Sequence, residues 1–172
     1  MNYSFYKGAK AVFAQSSFHK KIIEMNIDIE NIINLSGNLW SLEDFKKIKS
    51  NLNNEKKDKY SILDSHFPGK GTQEAIEYCN KNDLEYELIK DENYYNFLKK
   101  ISKNKTLIFL PKIPETLSRI CIEARMMGCN VTTNGYVGAK YEEWFSNSPS
   151  DITKEMESVR EKILENTLRL FQ

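Results

Sequence analysis

Two glutamates, Glu115 and Glu123, stand eight residues apart in the segment PETLSRICIEARMMGCNVTTN, Pro114 to Asn134. On a helix this spacing is about 12 Å at 1.5 Å per residue. That matches the separation of ribose from sugar in a nucleoside diphosphate sugar. On that reading one carboxylate would accept from ribose hydroxyls, the other from sugar hydroxyls, and a helix N-terminus between them would hold the diphosphate. The plainer reading stays open beside it: Glu115, Arg119 and Glu123 as surface ion pairs at i, i+4.

A second cluster lies upstream in HFPGKG, His66 to Gly71. It leaves a strand end and enters a helix, so the amides of Gly71 and Thr72 point outward near the positive end of the helix dipole. Glycines Gly69 and Gly71 let backbone approach an anion, and Lys70 adds a point charge. The full pattern of a P-loop is absent, so the segment also reads as a Pro-Gly turn followed by a surface lysine. Both clusters follow strands, on the edge of a parallel sheet where ligands bind.

The elements that must position these residues alternate. Ala9 to Gln15 and Asn31 to Leu35 read as short strands, with a helix between them capped by Ser16 or Ser17 and ending near Met25. A helix from Leu42 to about Asn51 leads into NLNNEKKDK, the best linker or surface turn in the chain. Strands then fall at Tyr60–Leu63, Tyr86–Lys90, Thr106–Leu110 and Asn130–Thr133. Helices fall at Thr72–Lys81, Tyr94–Ser102 and Glu115–Met127, the last with Leu117, Ile120, Cys121 and Ala124 on one face. A closing helix runs from Asp151 to about Phe171. Met156, Val159, Ile163 and Leu170 form one apolar face, which Leu164, Leu168 and Phe171 widen. Such alternation with right-handed crossovers gives an α/β fold with a Rossmann-like, doubly wound parallel sheet.

Composition narrows the functional classes. The 172 residues suit one domain with a substantial core. A net charge of +1 supplies no field to attract nucleic acid or an anionic membrane. Cys79, Cys121 and Cys129 fit no zinc spacing, and with two histidines in the chain they read as small buried apolar residues, not metal ligands. No segment approaches the roughly 18 apolar residues of a membrane span, so the expectation is a cytoplasmic protein without a membrane span or nucleic-acid partner. No G-x-G-x-x-G follows a strand, which leaves a dinucleotide oxidoreductase unsupported.

The segment from Glu115 resembles the E-x7-E signature of retaining glycosyltransferases with the GT-B fold, particularly the family 4 group. The matching run is Glu115, Thr116-Leu117-Ser118, Arg119 to Ile122, Glu123-Ala124, then Gly128 and the strand NVTTN. Lys70-Gly71 looks like that family's Lys-Gly, and Asn134–Ala139 with Glu142 or Glu143 like its Gly-Gly-x-x-Glu region. Ala9–Ser17 looks like the last strand of its acceptor domain, and Leu39-Trp40 like the entry to its donor domain. The resemblance implies three parts: 1–40 from the acceptor-domain end and crossover, 41–150 as the nucleotide-sugar-binding domain, and 151–172 as a helix returning toward the acceptor domain. It implies an enzyme that transfers sugar with retention, using a nucleoside diphosphate sugar as substrate, no cofactor and no metal. Lys70 and Glu115 would act on the diphosphate and transferred sugar. His66, Gly69, Gly71, Thr116, Leu117, Ser118 and Arg119 would surround the donor, and Glu123 would hold the ribose. The acceptor would come from a missing N-terminal domain or partner chain, leaving this half inactive alone.

Two positions depart from the pattern. Ser65 and His66 stand near where the family has an Arg, and Thr116 and Ser118 replace residues that are often Gly. Arg119, where the family is apolar, compensates if it points at the phosphates. Other readings are a non-catalytic nucleotide-binding module, a subunit of a split glycosyltransferase, and a nucleotide-sugar epimerase of the same architecture.

Overall fold

In a computed structural model, which describes residues 3–170, the chain runs as alternating strands and helices. After α1 (Tyr3–Lys7), β1 (Val12–Ala14) and β2 (Ile32–Asn34) pair in parallel across α2 (Ser17–Asn26), whose N-cap is Ser16. Ala14, Ile23, Ile27 and Ile32 form a small core of their own there. Then follow α3 (Leu42–Ser50), β3 (Lys57–Leu63), α4 (Thr72–Lys81), β4 (Tyr86–Ile89), α5 (Tyr94–Ile101), β5 (Asn104–Phe109), α6 (Arg119–Met126), β6 (Asn130–Thr133) and α7 (Pro149–Arg169).

β3 to β6 form a parallel sheet in the order β4-β3-β5-β6, with Ser61 opposite both Glu87 and Leu107, and Leu107 opposite Val131. Alternation along β5 sends Leu107 and Phe109 into the main core with α3, α5, α6 and α7, while Ile108 joins Ile62 under Ala75 and Cys79 of α4. Both faces are therefore covered, as a parallel sheet requires. The chain leaves β3 for β4 on one side and returns across it to β5 on the other. Loops after β3 and β5 diverge at that switch point, where open α/β sheets bind ligands.

The structure corrects two expected element boundaries. β3 begins at Lys57, inside the segment expected to be a linker or turn, because cross-strand ion pairs take the place of an apolar face. Lys57 meets Glu87 at 3.6 Å, Lys59 meets Glu85 at 3.2 Å and Lys105 meets Asp58 at 3.2 Å. The helix expected from Glu115 begins at Arg119. Glu115 N donates to Tyr136 O (2.8 Å), Gly138 N to Glu115 O (2.9 Å) and Ala139 N to Leu117 O (3.1 Å), which holds residues 115–117 outside the helix. Any Cβ at Gly138 would collide with the Thr116 carbonyl, so the glycine is what permits this ladder. The axial distance of one continuous helix therefore does not apply to Glu115 and Glu123. On α7, Ile152, Met156, Val159 and Ile163 are buried, whereas Leu164 and Leu168 remain exposed; Phe171 lies outside the described residues.

The three cysteines are free and buried. Among the described residues no helix is long and apolar enough to cross a membrane.

Candidate functional site

A cavity of ≈ 380 Å³ opens at the switch point. Leu63, Phe97, Phe109, Leu117 and Ile120 give it an apolar side, and Gln15, Asn38, Lys70, Glu115, Thr116 and Arg119 a polar one. Lys70 is delivered by a 3-10 turn, Pro68–Lys70, after β3. Thr72 Oγ1 ties this turn down by donating to Leu63 O (2.7 Å) and accepting from Ser65 N (3.1 Å). Lys70 Nζ then meets Glu115 Oε1 at 2.8 Å, so the residues that follow β3 and β5 join across the cavity.

The glycines of the turn serve packing more than ligand approach. Gly71 has φ +71°, and a Cβ there would run into the Leu110 carbonyl. Gly69 is buried, accepts from Lys112 N (2.9 Å), and sits beneath the Phe67 ring. Neither lines the cavity. His66 is also turned away: it is exposed, and Lys90 Nζ reaches its Nε2 at 3.0 Å. An ammonium only donates, so that nitrogen accepts.

Thr116 to Ser118 lead into the N-terminus of α6. The amides of Thr116 through Ile120 have no hydrogen-bond acceptor among the described residues. Ser118, the N-cap, adopts φ 70°, ψ 88° and offers no capping bond, its Oγ reaching Cys121 Sγ at 3.3 Å. A helix start without a cap, in residues that line a cavity, is the kind of place that takes an anion.

Glu123 lies deeper, 3% exposed and outside the cavity lining. Its Oε1 accepts from Trp40 Nε1 (3.0 Å), Tyr94 OH (2.7 Å) and Arg119 Nε (3.3 Å). The Arg119 guanidinium stacks over the Trp40 ring at 4.8 Å and donates from Nη1 to Leu39 O (3.3 Å). Burial first, and then the Glu123 carboxylate, hold the Tyr94 hydroxyl well above its usual range, so it stays a donor. Burial likewise pushes the Cys121 thiol up to about 12. Asn93 caps α5 by accepting from Tyr95 N and Asn96 N, which fixes Tyr94 and Phe97 one turn apart.

The β1–α2–β2 unit is clamped onto the same wall. Ser16 Oγ donates to Thr116 O, and Thr116 Oγ1 donates to Gln15 Oε1 (2.6 Å). Glu142, buried, accepts from Ser17 N (2.6 Å), Ser17 Oγ (2.8 Å) and Ser36 Oγ, while Trp144 Nε1 donates to Ser36 O (3.0 Å). Of the pair Glu142 and Glu143 it is Glu142 that works here; Glu143 is exposed. Sequence reasoning singled out Lys70, Glu115, Thr116, Leu117, Ser118 and Arg119, which the fold brings together. It did not find Gln15, Asn38, Tyr94 or Phe97, although Gln15 is a polar residue ending a strand on the ligand edge.

No protein-family model and no curated protein sequence matches the chain. Solved structures do. The chain is similar to TarM (TM-score 0.60, 15% identity) over 98% of its own length and 45% of that chain. It is similar to an S. aureus TarM variant crystallised with Fondaparinux, alpha-GlcNAc-glycerol and UDP (TM-score 0.54, 16% identity) over 95% of its length and 44% of that chain. It also resembles Anabaena Alr3699/HepE crystallised with UDP-glucose (TM-score 0.52, 11% identity), over 97% of its length and 66% of that chain. The chain thus spans less than half of either TarM chain. At such identities the likeness establishes the fold alone: a Rossmann-like α/β arrangement of parallel strands.

Proposed function

We propose that this chain binds a nucleoside diphosphate sugar and forms the donor-binding part of a glycosyltransferase. The observation that carries the reading is the convergence, in one cavity at the switch point, of Lys70 with the unpaired amides of Thr116 to Ile120. Lys70 and those amides take the diphosphate. Glu115, an acceptor beside Lys70, takes hydroxyls of the transferred sugar. Arg119 faces the cavity with its Nε held by Glu123, so Glu123 serves by positioning Arg119 and Tyr94. Negative charge that develops on the departing diphosphate meets fixed donors, the arrangement that lowers a transfer barrier without a metal.

Transfer with retention needs an acceptor held against the sugar and water excluded. On this reading that surface would come from a further domain or partner chain, which the exposed Leu164 and Leu168 of α7 would meet; alone, this chain would transfer little. A second reading, a nucleotide-binding module or one subunit of a split enzyme, draws on the pairing of both cavity cations, Lys70 with Glu115 and Arg119 with Glu123. Binding without turnover beside a complete acceptor domain would select it.

The test is a calorimetric titration of the chain with UDP-, GDP- and ADP-glucose. One nucleotide binds, and Lys70→Ala weakens it by about tenfold or more, the loss of one charge-assisted contact worth about 1.5–3 kcal/mol. A folded chain that takes none of the three, or a Lys70→Ala variant with unchanged affinity, removes the reading.

A further inference from the structure

Two carboxamides line the cavity from the β1–α2–β2 unit, and each has its oxygen committed and its NH2 group unpaired. Gln15 follows β1. Its backbone N donates to His19 Nδ1 (3.2 Å) and its O accepts from Gly37 N (2.9 Å), so its Cα is fixed at the strand end. Its Oε1 accepts from Thr116 Oγ1 at 2.6 Å, one residue beyond Glu115. Asn38 lies after β2, and its Oδ1 accepts from Leu39 N at 2.7 Å. Neither Gln15 Nε2 nor Asn38 Nδ2 has an acceptor among the described residues, and both residues are half-buried in the lining.

An amide whose carbonyl is engaged presents two N–H donors in a fixed direction. The remaining wall holds Glu115, which when ionised only accepts, and Lys70, whose ammonium is turned to Glu115. The amides of α6 stand ready for anionic oxygens. A ligand group that fills a cavity lined by Glu115 and by two carboxamides with unpaired NH2 groups must donate to the first and accept from the others. A polyol does both through each hydroxyl; a phosphate does not donate.

We propose that Gln15 and Asn38 read the hydroxyls of the transferred sugar together with Glu115, and thereby set which sugar the donor carries. This inference rests on the nucleotide-sugar reading above. It makes the β1–α2–β2 unit part of the donor site, which explains why that unit is clamped to Thr116 and Glu142 by Ser16, Ser17 and Ser36.

The test compares two ligands on the full chain: UDP and UDP-glucose, with the GDP and ADP pairs in parallel. Gln15→Met keeps the length of the side chain and removes both N–H donors. Gln15→Glu keeps the acceptor for Thr116, replaces the NH2 with an oxygen that only accepts, and adds a negative charge that the UDP measurement controls for. The ratio of the dissociation constants for UDP-glucose and UDP is expected to rise about three- to tenfold in Gln15→Met, the range for one hydrogen bond to a neutral partner. The affinity for UDP itself stays within twofold of the parent, and thermal melting shows the variant folded. In Gln15→Glu the ratio rises at least as far. A nucleoside diphosphate that binds with a ratio unmoved by Gln15→Met overturns this inference alone. Failure of all three nucleoside diphosphates to bind the folded chain overturns the nucleotide reading and this inference with it.

Discussion

Removing the Glu123 carboxylate should cost stability before it costs binding. In Glu123→Ala the Trp40 indole N–H and Tyr94 hydroxyl lose their acceptor; Trp40 is 2% exposed, so water cannot readily replace it. A hydrogen bond to a charged group is worth about 1.5–3 kcal/mol, and a buried donor left without an acceptor costs about as much. Arg119 is partly exposed, so solvent screening holds the contribution of its pair with the buried Glu123 to about 0–1 kcal/mol. The expected total is about 3–5 kcal/mol, the range for breaking a buried charged pair. For a chain of this size 1 kcal/mol moves the melting midpoint by roughly 2–4 °C. Glu123→Ala should thus melt about 6–20 °C lower by circular dichroism. Glu123→Gln, which keeps an amide oxygen for the two donors, should lose less than half as much. A drop of under 3 °C in Glu123→Ala would refute the view that Glu123 is the anchor of Trp40, Tyr94 and Arg119.

Other positions give sharp expectations. Gly71→Ala combines a left-handed φ with a collision at Leu110 O; urea denaturation should show a loss above about 3 kcal/mol, since strain at the αL position alone costs about 1–2. Ser118 is a non-glycine residue at φ 70°, so Ser118→Gly should melt within 2–3 °C of the parent while Ser118→Val, β-branched at positive φ, melts well below it. Native Cys79, Cys121 and Cys129 should react with a thiol reagent at pH 8 at least about a hundredfold more slowly than in urea, because burial raises all three thiols and excludes the reagent. The Cys121 thiol also predicts a pH slope. The unfolded thiol ionises from about pH 8.5 and the folded one only near 12. The unfolded chain then holds fewer protons, and this group's contribution to stability declines across that window. Replacing Cys121 with Ala should flatten the decline.

Much of the architecture was legible because the sheet is local in sequence. Runs such as TLIF and NVTT sit between helices with clean periodicity, and the strand-helix alternation alone implies a parallel sheet. The false start of α6 has a definite cause. Leu117 keeps helical register with Ile120, Cys121 and Ala124, yet it is buried from a non-helical segment whose partners, Tyr136 to Ala139, lie about twenty residues on. Local periodicity carries no trace of that pairing. The same limit hid the start of β3, where Lys57 and Lys59 are matched by Glu87 and Glu85 on the next strand. Lys70 and Glu115 were readable because each follows a strand at the switch point. His66 is near Lys70 in sequence, but the turn directs its ring toward Lys90 and away from the cavity lining. Gln15, Trp40 and Tyr94 enter the site only through tertiary contacts with Thr116 and Glu123.

The central claim is that an anionic diphosphate sits on the N-terminus of α6 beside Lys70. The most direct measurement is a titration of the 15N-labelled chain with UDP, GDP and ADP, following backbone amide shifts. The account predicts that the amides of Leu117 to Ile120 move most with one of the three, that Gly69 to Thr72 follow, and that Lys70→Ala weakens the response. Shifts confined elsewhere, such as the cavity lined by Tyr6, Asp28 and Asn31, with those of Leu117 to Ile120 unchanged, would contradict it.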